Sequence, residues 1–71
     1  MAIKYKLDYI IALIAEFAAA FNITNTQAYN YLKKYKGLDF IEDFYDVEHT
    51  LSFEDAVCDV SNYCKRFGGT L

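Results

Sequence analysis

Proline is absent from the chain, glycine occurs three times, and neither an NG nor a DG pair is present. Strands need turn residues and a period-two pattern of β-branched side chains, and without them nothing competes with an all-α reading. Histidine occurs once, as His49, and cysteine twice, as Cys58 and Cys64. Six residues of helix separate the thiols by about 9 Å, beyond the ~7 Å between Cα atoms that a disulfide tolerates. An internal bridge is therefore not expected, in keeping with a reducing, cytoplasmic setting. The pair also lacks the CxxC spacing of a zinc site.

Long apolar runs are missing too. The longest, "YIIALIAEFAAAF", has thirteen residues with Glu16 inside it, short of the roughly 20 that a membrane span needs. Lys4 and Lys6 ahead of it and "AAA" within it outline a signal peptide, but Asp8 and Glu16 interrupt that pattern. Cleavage near Ala20 would also remove the most hydrophobic helix. No membrane association is expected.

What remains is rich in apolar and ring side chains: 55% hydrophobic and 18% aromatic over 71 residues, with seven Tyr and six Phe. A chain of this length hides only about 60% of its unfolded surface. We expect one helical domain over residues 1–71, frayed at about 1–5 and 68–71, with more apolar surface than its own core can cover. That excess implies association, either with a second copy or with another protein.

Caps and periodicity divide the chain into a small bundle of four helices, at about 7–21, 25–36, 40–48 and 53–67. In the first, Leu7, Ile10, Ile11, Ile14, Phe17, Ala18 and Phe21 recur at helical spacing. Its other faces are scarcely polar, so Tyr9, Leu13, Glu16 and Ala20 are expected to form a homodimer contact. Asn22 closes it. Thr24 and Gln27 form a capping box for the second helix, which buries Ala28, Tyr31 or Leu32, and Tyr35. Lys33, Lys34 and Lys36 suit its carboxyl end, and Gly37 is read as its left-handed terminator. Asp39 and Glu42 are read as the cap of the third helix, with Phe40, Ile41, Phe44 and Val47 inward; Ser52 and Asp55 cap the fourth. There Phe53, Ala56, Val57, Val60, Cys64 and Phe67 form the stripe, leaving Cys58 exposed.

Basic residues are lacking from one whole region: eight of the ten acids lie between Asp39 and Asp59, with no Lys or Arg among them. Asp39, Glu42, Asp43, Asp46, Glu48, Glu54 and Asp55 are the candidate docking residues for a basic protein partner. The same charge opposes a helix-turn-helix reading of the second and third helices, since the would-be recognition helix would repel phosphates. Nucleic-acid binding is not expected.

"FYDVEHT", residues 44–50, gathers an aromatic pair, two carboxylates, the histidine and a threonine. Asp39, Glu42, Asp46 and His49 share one helical face, and Asp46 with His49 has the i, i+3 spacing of carboxylate-bridged metal helices. Such sites need a matching pair from a second helix, and no second histidine exists. His49 is better read as bonding free carbonyls at a helix end. Neither an enzyme activity nor a cofactor is expected.

The stretch "FIEDFYDVEHTLSFEDAVCDV", with "AYNYLKKYKGLDF" before it, resembles a family of short bacterial proteins of unknown function, domain-of-unknown-function family 3791. The resemblance runs from Asp8 to about Phe67. It implies, without assigning any chemistry, a small companion or antitoxin-like role beside a protein resembling ADP-ribosyltransferases. Members of that family usually carry an apolar residue between Val47 and His49, where this chain has Glu48.

Overall fold

The computed structural model describes residues 2–71, with side chains described from Lys6 onward, and it is all-helical. The fraying expected over 1–5 falls largely outside the described side chains. Five helical segments follow one another: α1 Ala2–Phe21, α2 Asn25–Lys34, α3 Gly37–Asp43, α4 Tyr45–Glu48 and α5 Phe53–Lys65. The expected third helix is thus two, divided at Phe44. α1 packs on α2 and α5, and α3 packs on α2 and α5 and, more lightly, on α1. No single helix among the described residues is long and apolar enough to cross a membrane.

Three of the anticipated helix boundaries are in place. Asn22 takes a positive φ of 56° after α1. Thr24 Oγ1 accepts from Gln27 N–H at 3.0 Å while Gln27 Oε1 accepts from Thr24 N–H at 2.9 Å. Each of these bonds satisfies a backbone or side-chain group that the start of α2 would otherwise leave to water. Ser52 Oγ likewise accepts from Asp55 N–H at 3.1 Å at the start of α5.

The boundary between α2 and α3 differs from expectation. Lys36, not Gly37, takes the left-handed conformation, at φ 68°, and Gly37 is the buried first residue of α3. A Cβ there would lie 2.7 Å from Leu32 Cδ2 and 2.8 Å from Cys64 Sγ. Glycine is placed where backbone must touch the core, and the neighbouring lysine accepts the strain. Asp39 lies in the first turn of α3 and caps nothing; Lys36 occupies the cap position without a side-chain bond.

The core comprises Leu13, Phe17 and Ala18 from α1, Ala28 and Leu32 from α2, Ile41 from α3, and Ala56, Val57, Val60 and Cys64 from α5. Ala56, Val57, Val60 and Cys64 are where the periodicity put them, and Cys58 is exposed. Phe53 and Phe67, expected inward, are exposed at the two ends of that helix. On α1, Phe17 and Ala18 are buried and Ile10, Ile14 and Phe21 pack against the core as the periodicity put them, whereas Leu7 and Ile11, expected inward, are 55% and 58% exposed, and Leu13 is buried. Leu13 therefore cannot serve a dimer contact, being consumed by the protomer's own core.

Residues 68–71, expected to fray, return to the body of the protein. Leu71 N–H donates to the Tyr31 hydroxyl at 2.9 Å, and Ser61 Oγ donates to the Leu71 carbonyl at 2.7 Å. Tyr31, amphipathic and half-buried, supplies the ring to Phe17 and its hydroxyl to this tail.

Candidate functional site

The segment from Phe40 to Thr50 is where sequence and structure diverge most. Along it the inward positions are Gly37, Ile41 and Glu48, with Tyr45 half-buried between. Their spacing of four, four and three is a regular helical face. Phe44 and Val47, expected inward, are 49% and 58% exposed. Phe40 and Ile41 pack inward as expected, and the departure begins beyond them, where Tyr45 and Glu48 turn inward in place of Phe44 and Val47 and carry a charged side chain to the interior.

Glu48, expected on an acidic outer face, is only 5% exposed, and its Oε1 has no hydrogen-bond partner. Its other contacts come from two helices. From α1, Tyr9 donates its hydroxyl to the Glu48 main-chain carbonyl at 3.1 Å. From α5, the exposed Asp59 carboxyl acts on that of Glu48. Burial, then the charge of Asp59 and the hydrogen-bonding of its side chain, push the Glu48 carboxyl up to about 7. The Tyr9 phenol is also raised, first by burial, then by the nearby Glu48 and Tyr45.

Aromatic side chains enclose this point. The Tyr9 ring stacks on Phe53 at 5.7 Å and meets Tyr45 edge-on at 5.5 Å. Tyr45 in turn stacks on His49 at 4.5 Å, and Lys6 Nζ lies 5.8 Å from the Tyr45 ring centre. His49 Nδ1–H donates to the Tyr45 carbonyl at 2.7 Å, and Thr50 Oγ1 donates to the Val47 carbonyl at 2.6 Å. Both side chains close the end of α4, the local role anticipated for the histidine.

No group of three His, Cys, Asp or Glu side chains among the described residues could hold a metal ion. Asp39 and Glu42 lie on α3, and Asp46 and His49 lie beyond the break at Phe44. Asp46 forms no hydrogen bond with His49, and Cys58 is placed elsewhere, in an open groove of about 650 Å³ between α1 and α5. Glu16 and Ala20 line that same groove, while Tyr9 is committed to Glu48. The four residues expected to form one dimer face are thus spread over a groove wall, an internal cluster and the core.

Of the candidate docking residues, Asp39, Glu42, Asp43, Asp46, Glu54 and Asp55 are exposed and Glu48 is not. Phe44 and Val47 are the residues that pattern-reading missed: they are apolar side chains on the surface of an acidic segment. Their signal was present in the phase set by Gly37 and Ile41, a face that a buried carboxylate disguised.

These features define a small all-helical protein with a short, acidic, aromatic-lined segment lodged between its first and last helices. The family model described as "protein of unknown function" (DUF3791) matches residues 8–66, and the chain belongs to that family. No curated protein and no solved structure matches it.

Proposed function

We propose that the chain is a protein–protein interaction module whose docking face is the outer side of α3 and α4. The observation that carries this reading is the exposure of Phe44 and Val47 within a segment whose surface charges, Asp39, Glu42, Asp43 and Asp46, are all negative. Two apolar anchors inside a rim of one sign match the general anatomy of a binding surface, where buried apolar groups hold the complex and charge guides approach. The partner is accordingly a basic protein. A second copy of the chain suits this face poorly, because it would set carboxylates against carboxylates. An antitoxin-like companion role, as the family resemblance implies, is one form such a module would take.

The test is a pull-down from the native host at low and high salt. It compares the parent chain with Phe44→Ser/Val47→Ser and with Asp39→Lys/Glu42→Lys, each checked for helicity by circular dichroism. The parent retains a basic protein that both variants lose, and the loss on charge reversal is larger at low salt. A partner held equally by all three would defeat the proposal.

Self-association is a second reading, favoured by Leu7 and Ile11, which lie one turn apart on the outer side of α1. On this reading the dimer contact is a different face of the first helix from the one expected. Light scattering of the parent would give twice the monomer mass, and Ile11→Asp would restore the monomer. A monomeric parent removes this reading and leaves the first intact.

A further inference from the structure

We propose that a row of four aromatic rings crossing from α3 to α5 seats a proline-rich segment of the basic partner, held in polyproline II conformation with an arginine or lysine at one end. This rests on the docking face proposed above, which it extends past α3 and to which it gives a ligand chemistry. The row runs Phe44, Phe40, Tyr63, Phe67, with successive ring centres 5.1, 4.7 and 5.1 Å apart. Its two inner rings are half-buried, and its ends stand open, Phe44 at 49% and Phe67 at 45% exposure. At the middle, Phe40 and Tyr63 line a shallow cleft of about 270 Å³ together with Asp59, Asn62 and Arg66.

The two helices pass in opposite directions here, since Phe40 meets Tyr63 while Lys36, one turn before Phe40, sets its Nζ 5.8 Å from the Phe67 ring centre. Charge along the row is therefore polarised. Lys36 lies at the Phe67 end with Arg66, which follows Tyr63 by three residues on the same side of α5. At the Phe44 end are Asp59, one turn before Tyr63, and Asp43, three residues after Phe40 on α3. A ligand whose basic residue rests by Asp59 and Asp43 meets opposite charge there and stays clear of the two cations.

Proline suits this row for three reasons. Its pyrrolidine ring offers an apolar face to an aromatic one, and aromatic-lined grooves are how polyproline II ligands are held. About five residues at ~3.1 Å rise each span the row. The rest of the cleft lining, Asp59, Asn62 and Arg66, is polar, whereas an amphipathic helix needs a second apolar wall. Asn62, Tyr63 and Arg66 can instead donate to the carbonyls that a polyproline chain leaves unbonded.

Two-dimensional NMR of the intact, isotope-labelled chain tests this, with a synthetic peptide of one arginine followed by six prolines as the probe. The control keeps the arginine and replaces every proline by alanine. The proline peptide shifts the resonances of Phe40, Phe44, Tyr63 and Phe67 to saturation and binds at least about tenfold more tightly than the control. Tyr63→Ala and Phe67→Ala each weaken it about tenfold, the second serving if the first does not fold. Asp59→Asn weakens it about threefold at low salt and much less at high salt. Ile11→Asp, on the outer side of α1, leaves it unchanged. Three results would each overturn the proposal: no saturable shift with the proline peptide, binding indifferent to both ring variants, or equal or tighter binding of the alanine peptide, whose helical preference would give the row to a helix. These arms use no host protein and so stand apart from the pull-down. There, a partner lost by Phe44→Ser/Val47→Ser yet held by Tyr63→Ala and Phe67→Ala would remove the ring row and leave the docking face intact.

Discussion

α5 and the α3–α4 segment lie against each other and follow opposite rules. In α5 the apolar residues Ala56, Val57, Val60 and Cys64 are the buried ones, Ser52 caps the start, and Lys65 sits in the last turn where a cation suits the dipole. In α3–α4 Ile41 is the one fully buried large apolar side chain, and a glycine and a glutamate are buried beside it while Phe44 and Val47 face water. The first arrangement is what folding alone would select. The second costs stability, and such departures from local consistency gather where a protein does something besides fold.

The comparison can be broken most severely from the core side. Phe17→Ala removes a fully buried ring that touches Phe21 and Tyr31. A loss of about 3–5 kcal/mol is expected in urea denaturation, enough to unfold so small a protein. If Phe17→Ala costs no more than ~1 kcal/mol, the α1 core is looser than described. Gly37→Ala comes next: the added methyl presses on Leu32 and Cys64, and overpacking of that kind costs about 1–3 kcal/mol. A neutral result would mean that α3 can slide outward, which a shift of α3 amide resonances would show. Phe44→Ser/Val47→Ser should cost about 1 kcal/mol, well below Phe17→Ala, because Phe44 is half covered, with its ring on Phe40 at 5.1 Å, and Val47 is mostly exposed. A cost near that of Phe17 would mean that they are covered in solution, by a second copy or by a rearranged segment, and a concentration-dependent melting temperature would separate the two.

Much of this fold is legible without coordinates, and the exceptions have physical causes. Thr24 with Gln27 and Ser52 with Asp55 mark their helix starts because capping is a local interaction, settled within four residues. The phase of α1 is not local. Its apolar residues surround the helix, so Leu7 and Ile11 look as suitable for burial as Leu13, and only the neighbours decide. Gly37 carries the familiar signature of a helix stop, yet it answers to a close approach by Leu32, Val60 and Cys64 that lies far from it in sequence. Glu48 is hidden more deeply still. A carboxylate by itself reads as surface, and Tyr9 and Asp59 converge on it from opposite ends of the chain. The segment "FYDVEHT" is therefore correctly singled out, and its histidine and threonine do close a helix. Its unusual member is the glutamate, which stands where members of the family usually carry an apolar residue, a substitution that marks the position as inward.

The two sulfurs make the protein its own reporter. Cys64 is sealed beneath Gly37 and its thiol is pushed up to about 11 by burial, partly offset by the Gly37 N–H, whereas Cys58 stands open on the groove. A maleimide added to the native protein should tag one site within moments and the other only when the whole helix assembly comes apart. The delay between the first and second mass increments would time complete unfolding in a chain that carries no added probe.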